Sequence, residues 1–235
     1  YDVHPYLLLN HNDNFESLST YTHEWGHAMH SLLANQSQPF SKAGYTTFIA
    51  EIAAISHEVL LMDYLQDNAR SKDEKLFYLL QELQTLRGTF FRQTQFAEFE
   101  LAVHQRVENG EALSADTLNT LYGDLLKRYY GHVEGVMSID EQYTVEWAYI
   151  PHFYRNFYVY QYATSISAAY YLMEKVQSGD EKERDNYLSI LRAGGSDYPY
   201  DILKKAGVDM ASSEVYAAVI RRFEQVMDEI EALVY

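Results

Sequence analysis

The chain has 235 residues, of which 47% are hydrophobic, so it is long and apolar enough to fold around a substantial core. Its 18 basic and 34 acidic side chains give a formal net charge of −16, which disfavours nucleic acid and anionic membrane surfaces as partners. The absence of cysteine excludes disulfide bonds and thiolate chemistry, and no apolar run is long enough to span a bilayer, so we expect a cytoplasmic protein.

The first predicted element is a short β-strand near the N-terminus. Residues 6–9 form an apolar run between Pro5 and the polar cluster at residues 10–14, which is typical of a strand followed by a turn. We expect this strand to lie at the edge of a sheet, where its backbone could pair with a bound peptide.

The rest of the chain predicts a mainly α-helical fold, because only four prolines interrupt long stretches with apolar residues at three- and four-residue spacing. Asn14 or Asp13 is expected to cap the first helix, which ends near Asn35. This helix is expected to bury one stripe, formed by Leu18, Thr22, Trp25, Met29 and Leu32. Later helices are predicted at about residues 47–68, 72–108, 114–130, 151–177, 181–192 and 212–233.

No internal repeat, low-complexity segment or linker-like change of composition divides the chain. Residues 1–235 are therefore predicted to form a single domain.

The sequence His23-Glu24-Trp25-Gly26-His27 matches the H-E-x-x-H pattern and lies within the first predicted helix. Because each residue turns a helix by about 100°, the two histidines project from nearly one face, one turn apart. Two imidazole nitrogens can then bind one metal ion, and zinc suits neutral imidazole. Glu24 lies where it can accept a proton from a water on that ion. The pattern predicts one catalytic zinc ion; the alternative is a helix whose histidines and glutamate are ordinary residues.

A catalytic zinc site needs a third protein ligand, and the residue at the metzincin spacing is Leu33, which cannot bind metal. The next predicted helix offers Glu51 and Glu58, which are seven residues apart and so lie on roughly one face. Glu51 lies in an apolar stretch where an unpaired carboxylate would be costly to bury, so we predict it as the ligand. Glu58 is expected either to orient a ligand imidazole or to be a solvated surface residue.

His30 lies seven residues after His23, near the same face of the helix but two turns away. That distance is too long for both to bind one ion comfortably. We expect His30 to support the metal site from the cleft or to be a structural histidine.

Four ordered motifs extend along most of the chain and are together more specific than the zinc motif alone. They are His4-Pro5-Tyr6-Leu7-Leu8-Leu9-Asn10, Thr22-His23-Glu24-Trp25-Gly26-His27-Ala28-Met29-His30-Ser31, Phe48-Ile49-Ala50-Glu51-Ile52-Ala53, and His152-Phe153-Tyr154-Arg155-Asn156-Phe157-Tyr158-Val159-Tyr160-Gln161-Tyr162-Ala163. In this combination the chain resembles the oligoendopeptidase F branch of the thimet oligopeptidase family of zinc metallopeptidases.

The resemblance implies a helical gluzincin catalytic domain with a deep channel, zinc held at the positions already predicted, and cleavage of short peptides in the cytoplasm. It also implies that His152 and a following tyrosine, best matched by Tyr158 or Tyr160, steady the tetrahedral intermediate. The alternative for this tyrosine-rich segment is a core helix. Family members are considerably longer, so residues 1–235 resemble the C-terminal catalytic portion without the N-terminal helical region.

The leading hypothesis is a zinc endopeptidase that hydrolyses bonds in short oligopeptides, with Glu24 as the general base. A zinc carboxypeptidase would share the ligand set but would need a group that binds a C-terminal carboxylate, for which Arg155 is the basic residue within the aromatic motif. An inactive remnant that only binds peptides is the third hypothesis, and the presence of Glu24 argues against it.

Overall fold

A computed structural model describes residues 1–235, and every regular element in it is helical. No helix combines the length, low charge and high hydropathy that a bilayer-spanning segment needs. A π-helical segment occupies Arg87–Phe91, and two 3₁₀ segments occupy Glu141–Tyr149 and Pro151–Tyr154. The ten α-helices are α1 (Phe15–Ser37), α2 (Phe40–Ala43), α3 (Thr47–Asp67), α4 (Lys72–Leu86), α5 (Arg92–Glu108), α6 (Ala115–Tyr129), α7 (Tyr160–Val176), α8 (Glu181–Ala193), α9 (Pro199–Lys205) and α10 (Ser213–Val234).

The predicted mainly α-helical fold is confirmed, whereas the predicted β-strand at residues 6–9 is wrong. Burial alternates there as in a strand, because Leu7 and Leu9 are half-buried while Tyr6 and Leu8 are exposed. No backbone hydrogen bond joins these residues to another segment, and a strand is defined by such a ladder of bonds. The apolar pattern therefore predicted the alternation correctly but not the pairing partner that a strand requires.

Helix α1 begins at the predicted place, because the Asn14 side chain accepts a hydrogen bond of 2.9 Å from the backbone N–H of Ser17. The predicted buried stripe is wrong, since Leu18 and Trp25 are each 38% exposed. The residues that α1 buries are mostly small, namely Ser17, Gly26, Ala28, His30 and Ala34. A helix that packs closely against a neighbour buries its small side chains at the contact, and the larger ones lie to the sides.

The chain divides into two compact units. The first unit comprises Tyr1–Leu86 and Thr164–Tyr235, in which α1 packs on α3 and α8, and α4 packs on α3 and α10. Its fully buried side chains include Ile49, Ile52, Leu79, Leu86, Ile166, Leu172, Met173, Ile190, Leu191 and Leu203. The buried carboxylate of Glu82 pairs there with Arg222, whose Nε lies 2.7 Å from Glu82 Oε1. A charge buried this deeply needs such a partner.

The second unit comprises Arg87–Ala163, in which α5 packs on α6 and α6 packs on the 3₁₀ segment Glu141–Tyr149. It has a core of its own, formed by Phe96, Phe99, Tyr122, Leu125, Leu126, Ile150 and Val159. The single domain predicted for residues 1–235 stays a prediction.

Two predicted helices differ from the observed ones. The helix predicted at residues 72–108 contains the π-helical segment Arg87–Phe91 between α4 and α5. The helix predicted at residues 151–177 begins only at Tyr160, because Phe157 has a φ of 53°, which cannot continue a right-handed helix. The remaining predicted helices are confirmed with small shifts at their ends, and neither α2 nor α9 was predicted.

Candidate functional site

The close approach of α1 to α3 sets the position of the candidate site. Gly26 lies on α1 at this contact, and a Cβ atom built on it would lie 2.4 Å from the Cα atom of Ala54 on α3. That distance is far shorter than van der Waals contact, so only glycine allows the two helices to come this close. His23 and His27 flank Gly26 on α1 and therefore lie near the side chains of α3.

Three side chains converge between these helices. The Nε2 atoms of His23 and His27 lie 3.3 and 3.6 Å from Glu51 Oε2. One candidate ligand atom from each residue lies within 4.8 Å of the others. The side chains are 26%, 27% and 23% exposed, so the cluster is partly buried but open to a substrate. The three residues predicted as zinc ligands are thus brought together.

Glu58 holds His23 through its other ring nitrogen. Glu58 Oε2 lies 3.2 Å from His23 Nδ1, and the Ser19 hydroxyl donates a hydrogen bond of 2.8 Å to Glu58 Oε1. A carboxylate on Nδ1 fixes the orientation of the imidazole and leaves Nε2 to bind a metal ion. Glu58 therefore lies where an orienting residue is expected.

The electrostatics of this cluster favour a cation. Burial would lower the pKa of His23, but hydrogen bonds to Glu51 and Glu58 raise it to about 10. The hydrogen bond with His23 in turn lowers the pKa of Glu51. Two imidazole nitrogens and one carboxylate oxygen form a ligand set found in catalytic zinc sites, which keep a further coordination position for water. The residues present therefore fit one zinc ion.

Glu24 directly follows His23 on α1 and is partly buried. No hydrogen bond or ion pair engages its carboxylate in the structure. A carboxylate without a competing partner beside the two imidazoles is able to accept a proton from a nearby water.

His30 is fully buried on α1, one turn beyond His27. Its ring stacks on that of Tyr45, with centroids 3.6 Å apart and an interplanar angle of 7°, and neither ring nitrogen has a hydrogen-bond partner. The Tyr45 hydroxyl lies 2.7 Å from Ser31 Oγ and 3.5 Å from the backbone oxygen of His27. Burial, together with His27, lowers the pKa of His30 to about 4. His30 thus lies outside the ligand cluster and packs against Tyr45, and its supporting role at the metal site stays a prediction.

The predicted residues around His152 lie in the second unit. The His152 ring is nearly parallel to that of Tyr158, with centroids 5.9 Å apart, and it meets the Tyr162 ring edge-on at 6.2 Å. The Tyr162 hydroxyl donates a hydrogen bond of 3.2 Å to the Tyr158 hydroxyl. Tyr160 is 40% exposed and makes none of these contacts. The structure therefore groups His152 and Tyr158 with Tyr162, not with Tyr160.

The family model for Peptidase family M3 matches residues 2–222. The chain belongs to peptidase family M3. Among the similar M3 proteins, the oligopeptidase PepF of Bacillus subtilis (strain 168) is 44% identical over 233 residues, and the chromosomal oligoendopeptidase F of Lactococcus lactis subsp. cremoris is 42% identical over 236 residues. The alignments cover 99% and 100% of this chain but 34% and 38% of those proteins, so the M3 chain spans just over a third of their length.

A solved structure supports the same relationship. The crystal structure of oligoendopeptidase F from Enterococcus faecium matches the M3 chain with a TM-score of 0.82 and 39% identity, over 93% of this chain and 39% of that one. The resemblance to oligoendopeptidase F is confirmed.

Two contacts in this M3 chain were not predicted from the sequence. Ser19, which holds Glu58, precedes His23 by four residues, and Tyr162 follows Tyr158 by four. Side chains at this spacing lie together on one face of a helix. For Ser19 and His23, which both lie on α1, the spacing is therefore a signal that could have identified the residue. Tyr158 precedes the start of α7 at Tyr160, so helical spacing does not indicate its contact with Tyr162.

Proposed function

We propose that this chain is the catalytic part of a zinc-dependent endopeptidase that hydrolyses peptide bonds in short oligopeptides. The observation that carries the proposal is the convergence of His23, His27 and Glu51, with Glu58 behind His23, in a chain of peptidase family M3. The names of the relatives, an oligopeptidase and an oligoendopeptidase, support peptides as the substrate class.

The proposed chemistry divides into metal binding and proton transfer. His23, His27 and Glu51 would hold a zinc ion, which when bound would supply Lewis-acid polarisation of the scissile carbonyl and lower the pKa of a water. The Glu24 carboxylate accepts a proton from the attacking water and passes it to the leaving amine. Glu58 keeps the His23 ring in its binding orientation.

Donors for the developing oxyanion are assigned to His152 and Tyr158. Peptide hydrolysis places negative charge on the carbonyl oxygen, which a phenol O–H and an imidazole N–H are able to stabilise. The assignment comes from the family resemblance. The ring contact of His152 with Tyr158, and the hydrogen bond from Tyr162, support Tyr158 as the tyrosine, with Tyr160 as the alternative.

The proposed setting is the cytoplasm, with residues 1–235 acting as one catalytic domain on oligopeptides. The formal net charge of −16 supports the exclusion of nucleic acid and anionic membranes as partners.

The test measures zinc content and hydrolysis of internally quenched peptides by the intact wild-type protein and by Glu24→Gln. We expect both to bind zinc, and we expect the variant to lose roughly 10²- to 10⁴-fold in kcat, because glutamine keeps the shape but cannot accept the proton. If the variant retained more than about a tenth of the wild-type rate, Glu24 would not be the general base.

Peptides with an amidated C-terminus separate the alternative activities. An endopeptidase cleaves them, whereas a carboxypeptidase needs the free carboxylate. A protein that binds zinc but cleaves neither the amidated peptides nor peptides with a free C-terminal carboxylate would be the peptide-binding remnant.

A further inference from the structure

Phe157 has a backbone conformation that a bulky side chain rarely adopts. Its φ of 53° lies in the left-handed region, where glycine is the favoured residue. The side chain is 42% exposed, so burial of the ring does not account for the conformation. A strained residue persists only where its surroundings hold it, and such residues cluster at functional sites. Phe157 directly precedes Tyr158, the proposed oxyanion donor.

Two residues of α5 hold Phe157 in place. The Glu100 side chain is almost fully buried, and its Oε1 accepts a hydrogen bond of 2.7 Å from the backbone N–H of Phe157. His104, one turn later on the same helix face, packs against the Phe157 ring with centroids 4.7 Å apart. A carboxylate is costly to bury, so the placement of the Glu100 carboxylate against the Phe157 N–H indicates a defined structural role. Helix α5 thus engages both the backbone and the side chain of one strained residue.

We propose that Glu100, supported by His104, is a positioning residue that fixes the turn at Phe157 and thereby places the Tyr158 hydroxyl. The inference rests on the proposed function, in which Tyr158 donates to the oxyanion. The direction of the backbone at Phe157 decides where the next side chain projects. Without its acceptor, the Phe157 N–H loses its partner and the residue relaxes to negative φ. A displacement of the reacting group by about 1 Å is enough to cost about 10²-fold in rate.

The experiment compares Glu100→Met with Glu100→Gln in the intact protein. Methionine approximately conserves the side-chain volume but is at best a weak acceptor, whereas glutamine keeps an acceptor oxygen at the same reach. We expect Glu100→Met to lower kcat roughly 10- to 100-fold with unchanged KM and zinc content, and Glu100→Gln to stay within about threefold of wild type. Glu108→Gln, an exposed position at the end of the same helix, is the matched control with unchanged kcat.

A crystal structure of Glu100→Met gives a result that does not depend on activity. We expect φ at Phe157 to become negative and the Tyr158–Tyr162 oxygen distance, now 3.2 Å, to change. A positive φ with normal kcat would overturn the proposal. Equal losses in Glu100→Met and Glu100→Gln would also overturn it, since the hydrogen bond would then not be the cause.

Two further outcomes are distinguishable. If Glu100→Met does not fold, His104→Ala tests the proposal instead, because His104 is partly exposed. We expect this variant to lower kcat by about threefold without a change in KM. An unchanged kcat in His104→Ala would overturn the proposal. If the wild-type protein cleaves no peptide, the proposed function fails, and φ at Phe157 in Glu100→Met still decides whether Glu100 holds the turn.

Discussion

The ligand cluster on α1 and α3 and the aromatic segment at residues 152–162 are held in place in different ways. His23, His27 and Glu51 stand on regular helices, where the four-residue spacing and one close helix contact determine their positions. Tyr158 follows an irregular turn at Phe157, whose backbone N–H donates a hydrogen bond to Glu100, 57 residues earlier in the chain. Local spacing on α1 and one contact between regular helices thus position the first group, whereas the turn before Tyr158 is engaged by a single side chain from another helix.

The largest effect is expected for substitutions in the ligand cluster, which should lower the affinity for zinc. Glu58→Ala should weaken zinc binding by roughly 10- to 100-fold, because Glu58 only orients His23, and Glu51→Ala should weaken it by well over that amount, because it removes a metal ligand. Competition with a chelator of known affinity measures both changes. The opposite order would make Glu58 the third ligand.

The next largest effect, on the stability of the fold, is expected at the close contact between α1 and α3. Gly26→Ala should lower the free energy of unfolding by about 3 kcal/mol and weaken zinc binding, because the new methyl group meets the backbone of α3. Gly44→Ala is the control, since a Cβ there meets nothing within 4 Å and φ is −67°. Urea unfolding of both variants checks the difference. Equal midpoints would show that α1 and α3 can move apart freely.

Substitutions in the aromatic segment at residues 152–162 are expected to affect turnover alone. Tyr158→Phe and His152→Ala should each lower kcat by about 10²-fold with little change in KM, because oxyanion donors act mainly in the transition state. Tyr160→Phe should leave kcat unchanged, since Tyr160 does not contact the group. Steady-state kinetics on zinc-loaded protein provides the measurement. The reverse result for the two tyrosines would move the role to Tyr160.

The smallest effect is expected for His30, whose titration should make the stability of the fold depend on pH. Its pKa is about 4 when folded, below the ordinary value of 6.5, so the unfolded chain binds the proton more readily between these values. Stability is therefore lost as the pH falls, by about 2 kcal/mol between pH 7 and pH 5. His30→Phe keeps a ring against Tyr45 but does not titrate, so its unfolding midpoint should fall less with acid than that of wild type. Parallel pH profiles would exclude this contribution.

The sequence predicted those features that depend on neighbouring residues. The cap at Asn14 and the H-E-x-x-H spacing on α1 are of this kind, and so is the carboxylate Glu51 in an apolar stretch. The features that were predicted wrongly depend on contacts between distant segments. Residues 6–9 lack a pairing strand, and the close approach at Gly26 changes which side of α1 is buried. The start of α7 follows from the turn at Phe157, which no local pattern indicates.

Residues 6–9, whose backbone is not paired with another segment, affect the tendency of the chain to self-associate in solution. Leu8 is 99% and Tyr6 77% exposed beside backbone groups without partners, and such a segment is a template for a second copy. The net charge of −16 keeps copies apart only over the Debye length, which shrinks from about 30 Å at 0.01 M salt to about 10 Å at 0.1 M. The purified chain should therefore stay monodisperse in dilute buffer and self-associate as salt is added.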